Sequence, residues 1–347
     1  NARRNIAVAN PMDKNVVGDP IQHGGNLAKA RALFPQAPEP WIDLSTGINP
    51  HSYPHSPIPS NVFARLPEPA LLDELKAIAA KTYGAPSAAH VAAGPGTQIL
   101  LPIVASLIDG RNAAILSPTY AEHARAAKLA GFEVTETDDI DQLAAADLAV
   151  IVNPNNPTGR IVAKTDLLSL ADAMRARGGL LVVDEAFSDV SEAKSVAEMV
   201  ESGGLLVLRS FGKFYGMAGL RLGFAISHPD VVRRIEDRLG PWAISGPALH
   251  VASEALADGW WQVMMRRRLE DETARLETLL TTAGISMYGG TSLFRLIRDP
   301  RAQALYRHLA THGIITRRFD ERPDDLRIGL PGEEGWHRLE EALASFV

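Results

Sequence analysis

Ser210-Phe211-Gly212-Lys213-Phe214-Tyr215-Gly216-Met217-Ala218-Gly219-Leu220-Arg221-Leu222-Gly223 follows directly on the apolar run Leu205–Leu208. A short, continuously apolar run bounded by turn residues reads as a strand buried on both faces. Open α/β sheets bind their ligands beyond the carboxyl ends of such strands. Glycines let backbone approach a ligand closely. Ser210 and Arg221 bracket Lys213, and both suit an anionic group. Cationic and apolar neighbours disfavour an ammonium and favour the free amine that bonds covalently to carbonyl compounds. Taken alone, Lys213 would more simply be a lysine in a surface loop.

Similar runs recur on either side. Ala113–Leu116, Leu148–Val152, Leu180–Val183 and Leu222–Ile226 all read as strands. Helical patterns lie between several of them, as at Leu167, Leu170, Ala171 and Met174. Strands alternating with helices predict a mainly parallel sheet covered on both faces. Near residue 230 the alternation gives way to mostly helical sequence, with Val231, Ile235 and Leu239 on one stripe. A long helical stretch follows from Trp260 to Leu280, and a last helix carries Trp336, Leu339, Leu343 and Phe346. Ser292–Ile297 and Leu326–Leu330 read as strands of a second, smaller sheet. The expected organisation is an N-terminal arm at 1–44 that joins the small domain, a large domain at 45–235 and a small C-terminal domain at 236–347.

The chain has 347 residues, 46% of them apolar and 22% charged, so a sizeable core can form. Lys and Arg number 35 against 41 Asp and Glu, a net charge of −6, which disfavours a nucleic-acid partner. No cysteine is present, which excludes disulfides, thiolate nucleophiles and cysteine-held metals. It also fits a reducing compartment. No apolar run approaches the roughly 18 residues needed to span a bilayer. Asn1 to Asp19 is polar, lacks the apolar middle of a signal peptide and reads as a flexible lead-in. The expectation is a cytoplasmic protein that does not engage a membrane.

Four more segments sit where strands end. Asp184-Glu-Ala-Phe187 closes the run Leu180–Val183. An aspartate there is costly to desolvate without a partner, unless it caps a helix. Asn153-Pro-Asn-Asn156-Pro-Thr-Gly159 makes a tight turn after Leu148–Val152. Its asparagines suit a phenolic oxygen or a carboxylate, although such a segment is often only a turn. Gly94-Pro-Gly96-Thr97-Gln98 opens an apolar helical stretch whose first N–H groups suit phosphate. It matches neither a dinucleotide fingerprint nor a P-loop. Pro118-Thr-Tyr120 follows Ala113–Leu116, and Tyr120 reads as stacking on an aromatic ring or as core packing. His308 with His312, and His51 with His55, lack carboxylates at ligand spacing, so no metal site is expected. Arg266–Arg268 before Glu270, Asp271 and Glu272 reads as a salt-bridged helix face, and Trp260-Trp261 as core.

Together and in this order, these segments resemble the fold-type I pyridoxal-phosphate-dependent aminotransferase family, in the branch that contains the histidinol-phosphate aminotransferases. The resemblance runs from about His23 to the C-terminus and rests on S-x-x-K-x-x-G-x-x-G-L-R-x-G and N-P-N-N-P-T-G. It implies an α/β fold with a large, mainly parallel-sheet domain and a smaller α+β domain, a homodimer, and pyridoxal 5'-phosphate as cofactor. Lys213 would carry the cofactor covalently. Ser210 and Arg221 would hold its phosphate, with Gly96, Thr97 and Gln98 contributing. Tyr120 would stack on its ring, Asn156 bond the ring oxygen and Asp184 pair with the ring nitrogen. Arg327, in Leu326-Arg-Ile-Gly329, would grip the substrate carboxylate.

Within that branch, several segments are similar to the threonine-phosphate decarboxylases of cobalamin biosynthesis. They are His23-Gly-Gly-Asn26, Asp43-Leu-Ser-Thr-Gly-Ile-Asn49-Pro50, Asp184–Phe187, Leu208-Arg-Ser, Lys213-Phe-Tyr and Pro241-Trp-Ala-Ile. Phe187 stands where the wider family has Tyr, a departure this subgroup shares. Leu66 stands where relatives place a Tyr that reaches the partner subunit's cofactor phosphate. The resemblance implies decarboxylation of L-threonine O-phosphate, with transamination of histidinol phosphate or a related amino acid as the alternative. A non-catalytic assembly partner is a third reading, which the intact Lys213, Asp184 and Arg221 oppose. His23, Gly24, Asn26 and Arg317 are the candidates for the substrate phosphate, and Asn156 also touches substrate. For Arg317-Arg318 a plain solvated pair, and for His23 a simple loop role, are the alternatives.

Overall fold

The computed structural model describes residue 21 and residues 23–346. The expected lead-in at Asn1 to Asp19 lies outside the described residues. Strands run in chain order as β1 (Ile42–Asp43), β2 (Val91–Gly94), β3 (Asn112–Leu116), β4 (Glu133–Thr137), β5 (Leu148–Val152), β6 (Leu180–Asp184), β7 (Leu205–Ser210), β8 (Gly223–Ser227), β9 (Met287–Thr291), β10 (Phe294–Arg298), β11 (Ile314–Ile315), β12 (Arg317–Phe319) and β13 (Arg322–Gly329).

A 7-stranded sheet has the order β2-β8-β7-β6-β5-β3-β4. The five strands from β7 to β4 are parallel. Every residue of β5, β6 and β7 is buried, as their unbroken apolar sequences predict for strands covered on both faces. The link from β7 to β8 holds the Lys213 segment instead of a crossover helix, and β8 returns antiparallel with Ser210 opposite Gly223. Two strands carry no such sequence signal. β4 lies at the sheet edge with three of its five residues polar and exposed, and β2 is Val-Ala-Ala-Gly, too small to announce itself.

The smaller, 4-stranded sheet has the order β12-β13-β10-β9 and is antiparallel throughout. Its β10 and β13 overlap the two strand runs expected from sequence, β10 starting two residues later and β13 starting four residues earlier. β1 pairs in parallel with β11, Ile42 opposite Ile314, so the N-terminal segment is tied to the C-terminal one.

The Trp260-Trp261 pair corrects one expectation. Trp261 is 8% exposed and stacks on Tyr215, whereas Trp260 is 74% exposed. Both lie on the helix Gly259–Thr282, where consecutive side chains point to different faces, so only one can enter the core. On the same helix Arg268 pairs with Glu272 as expected, while Arg266 turns inward and donates to the Asp189 carbonyl at 2.6 Å.

Candidate active site

The carboxyl ends of β3, β5, β6 and β7 point the same way because these strands are parallel, so the segments after them converge. A cavity of about 160 Å³ lies there, lined by Gly96, Thr97, Gln98, Tyr120, Asn156, Asp184, Ser210, Lys213 and Arg221. These are all nine residues that the family resemblance assigns to the cofactor.

One end of the cavity is built for an anion. The helix Thr97–Ala105 starts at Gly96, whose φ of 90° needs a glycine and which offers no side chain to cap the first N–H groups. A Cβ on Gly96 would sit 2.9 Å from an Arg221 guanidinium nitrogen, and one on Gly223 would sit 2.6 Å from the Thr97 amide. The two glycines therefore let Arg221 and a helix N-terminus share one small space, the donor set a phosphate group requires.

At the other end, Asp184 is buried with two partners. Its Oδ2 meets His123 Nε2 at 2.8 Å and its Oδ1 accepts from the Ala186 amide at 3.0 Å. Such a carboxylate can hold a protonated ring nitrogen. Between the two ends, burial pushes the Lys213 ammonium down to about 8, Arg327 and Arg221 add to the effect, and Asp184 opposes it. Lys213 Nζ stands 5.7 Å from the centre of the Phe187 ring, which supplies part of the apolar wall. Burial and the charges of Glu122 and Asp184 push the Tyr120 hydroxyl up to about 12, so it stays a neutral donor, and it bonds Gln98 Oε1 at 3.0 Å.

A second cavity of about 200 Å³ shares Tyr120, Asn156 and Lys213 with the first and adds His23, Gly24, Arg317 and Arg327. Arg327 donates to Asn156 Oδ1 at 2.6 Å and to the Ser45 carbonyl at 2.7 Å, while its buried Nε has no partner. Arg317 and Arg327 face each other in register across β12 and β13. Like charges directly opposite on neighbouring strands repel. Burial lowers both guanidiniums, and Arg317 lowers Arg327 further, to about 10. Two facing cations and an unused donor suit an anionic ligand, with Glu321 also bordering the cavity beside Arg317.

Gly24 lines this cavity with its backbone, since a Cβ there would run into the Ser45 carbonyl. Asn26 stands apart from it. Its side chain caps the helix Leu27–Leu33 by accepting from the Lys29 amide, and it borders a neighbouring cavity of about 750 Å³ together with His23, Gly24 and Arg317. Leu66 is exposed and is absent from the lining of either site cavity.

Sequence reasoning missed His123 and Glu122, both buried on the helix Glu122–Leu129 that follows Tyr120. Their polarity at inward-facing helix positions was the available signal. Nothing local says that His123 reaches β6, 61 residues further on.

The family model described as aminotransferase class I and II matches residues 40–343. The chain is 44% identical over 329 residues to a threonine-phosphate decarboxylase of a Sinorhizobium species, covering 94% of this chain and 98% of that one. It is 42% identical over 330 residues to the threonine-phosphate decarboxylase of Pseudomonas aeruginosa, with the same coverage. Among solved structures, a histidinol-phosphate aminotransferase from Sinorhizobium meliloti in complex with pyridoxal-5'-phosphate superimposes with a TM-score of 0.80 at 20% identity, covering 98% of this chain and 100% of that one. An L-threonine-O-3-phosphate decarboxylase from Porphyromonas gingivalis gives a TM-score of 0.73 at 19% identity, covering 87% and 98%.

Proposed function

The chain belongs to the aminotransferase class I and II family, and from that premise we propose that it is a pyridoxal-phosphate-dependent decarboxylase. Its reaction converts L-threonine O-3-phosphate to (R)-1-amino-2-propanol O-2-phosphate, on the route to cobalamin. The observation that carries this reading is the facing pair Arg317 and Arg327 in the cavity that opens onto Lys213. Threonine phosphate brings a carboxylate and a phosphate to two cations. Histidinol phosphate brings a phosphate and no carboxylate.

The residues present fit the cofactor. Arg221, Ser210 and the Thr97 helix N-terminus would hold its phosphate, Tyr120 its ring face, Asn156 its ring oxygen and Asp184 its ring nitrogen. When bound, pyridoxal phosphate supplies a carbonyl that joins amines and a protonated ring that withdraws electrons from bonds at the α-carbon. Lys213 Nζ would be the covalent anchor for the cofactor's carbonyl carbon and would be a free amine while substrate is bound. Arg327 grips the carboxylate while Arg317 and His23 take the phosphate. Held at both ends, the substrate cannot turn about its N–Cα bond, and the Cα–carboxylate bond is fixed in the breaking position. As carbon dioxide leaves, Lys213 Nζ delivers a proton to the α-carbon. An amine near pH 8 both releases and returns a proton readily.

Decarboxylation and transamination separate in one assay. Incubated with L-threonine O-phosphate and no oxo-acid acceptor, the loaded enzyme should release carbon dioxide over many turnovers. A single turnover that leaves the cofactor in its amine form would overturn the reading in favour of an aminotransferase.

We read the protein as a cytoplasmic homodimer. Large exposed apolar side chains such as Phe63, Leu66 and Trp260 support the dimer, and the lack of cysteine suits a reducing compartment. The division into domains at about 45 and 235 belongs to the same reading. It is supported by the two separate sheets and the β1–β11 pairing.

A further inference from the structure

A buried carboxylate beside two phosphate-binding regions needs a reason. Glu122 is 4% exposed and borders the residues assigned to both anions. Burial works against its ionisation, but hydrogen bonds from Gln98, Arg125 and His23 outweigh burial and hold its carboxyl below the usual value. It also lies in the first turn of the helix Glu122–Leu129, where a negative charge is favoured. Glu122 is thus a fixed anion in a site that must attract anions.

Its two oxygens face different partners. Oε2 accepts from Gln98 Nε2 at 2.6 Å and from Arg125 at 3.1 Å. Oε1 meets His23 Nε2 at 2.9 Å, across 99 residues of chain. Gln98 in turn accepts from the Tyr120 hydroxyl at 3.0 Å. Glu122 is therefore anchored on the cofactor side and reaches out to an otherwise exposed histidine on the substrate side. His23 lies on a segment outside any helix or strand, with its side chain 46% exposed, so local structure does not orient its ring.

We propose that Glu122 is a positioning residue that selects phosphorylated substrates by fixing the His23 imidazole. A carboxylate at Nε2 requires the proton to sit on that nitrogen, and the ring's tautomer and direction follow. Nδ1 is then the atom offered to the ligand. A phosphate arriving there gives the ring an acceptor at each nitrogen, and a protonated imidazole has a donor for each. The carboxylate is itself met by donors from His23, Gln98 and Arg125, which offset its charge. This inference rests on reading the substrate as a phosphorylated amino acid.

The test compares the wild type with Glu122→Gln, Glu122→Ala, His23→Ala and the Glu122→Gln/His23→Ala double variant, each checked for folding by circular dichroism. Nitrogen-15 NMR of the apo-protein should show His23 as a single Nε2-protonated tautomer in the wild type and as a mixture in Glu122→Ala. In the loaded enzyme, Glu122→Gln should raise KM for threonine phosphate roughly ten- to hundredfold with a smaller change in kcat, the range for a lost charge-assisted hydrogen bond. Affinity for unphosphorylated L-threonine, followed by cofactor absorbance, should stay unchanged. In the His23→Ala background the Glu122 change should add nothing further to KM. An unaltered His23 tautomer in Glu122→Ala would overturn the proposal, as would equal losses for both ligands or additive effects of the two substitutions. If the wild type releases no carbon dioxide from threonine phosphate, the substrate reading fails, while the tautomer comparison still decides the Glu122–His23 link.

Discussion

His123 Nε2 and Asp184 Oδ2 lie 2.8 Å apart with both side chains buried, so the acidic group at the carboxyl end of β6 is held by a residue from the helix after β3. The imidazole fixes the direction of the carboxylate, and the Ala186 amide fixes its other oxygen. Replacing His123 by Phe should keep the volume and remove the tether. We expect kcat to fall about tenfold, the worth of one hydrogen bond to a charged group. Asp184→Asn, which removes the charge proposed to stabilise a protonated ring nitrogen, should cost on the order of 10² to 10³ in kcat. Steady-state kinetics on both variants tests the order of the two effects.

Lys213 gives a pH signature. Its amine is held near 8 against an ordinary 10.5, mainly by burial. Attachment of added pyridoxal phosphate to the apo-protein needs the free amine, so its rate should rise through about pH 8 and level off above. Folding stability carries the same sign. Below about pH 8 the folded and unfolded chains both hold the proton, and the folded state bears the whole cost of a buried charge. Between about 8 and 10.5 the folded chain releases its proton first, and the cost fades as pH rises. Apo Lys213→Met should therefore be more stable than the wild type by about 3 kcal/mol near pH 7, with the difference vanishing towards pH 10.5. Denaturant melts at several pH values check this.

Arg327 should not tolerate a change to lysine. The guanidinium bonds Asn156 and the Ser45 carbonyl while keeping Nε for a ligand, and one ammonium cannot reproduce that fork. We expect KM for threonine phosphate to rise about a hundredfold in Arg327→Lys and further in Arg327→Ala. Arg327 is also one of the cations that hold Lys213 down. In Arg327→Ala the pH midpoint for cofactor attachment should therefore move upward.

Arg209 tests stability away from the chemistry. On β7, one residue before Ser210, it is buried and bridges Glu185 at 2.9 Å and Asp189 at 2.5 Å. Its guanidinium also lies 4.4 Å from the centre of the Tyr83 ring. Arg209→Met would leave two carboxylates buried without their cation, a loss of about 3–5 kcal/mol. Thermal melts should show a lower Tm. The further substitution of Glu185 and Asp189 by Gln and Asn should recover part of the loss.

The lysine segment, the Asn-Pro turn, the Asp at the end of β6 and the glycines before the Thr97 helix were all legible, because each is a local rule about strands, turns and helix starts. The four cofactor-side segments they name meet in one cavity, together with Tyr120. β4 was not legible, since an edge strand with solvent on one side needs no apolar run. Nor was the split fate of Trp260 and Trp261, which depends on which face of a long helix meets the core.

From the sequence by itself came the alternation of strands and helices and the segments that end in the site, and the likeness of those motifs to a known family carried the kind of cofactor, since periodicity and motifs are properties of neighbouring residues. Only the tertiary structure decided that Arg317 opposes Arg327, that His123 holds Asp184 and that Glu122 reaches His23. These are pairings between segments brought together by sheet register and by the convergence of parallel strand ends. Register follows from the packing of whole elements, so no local stretch of sequence contains it.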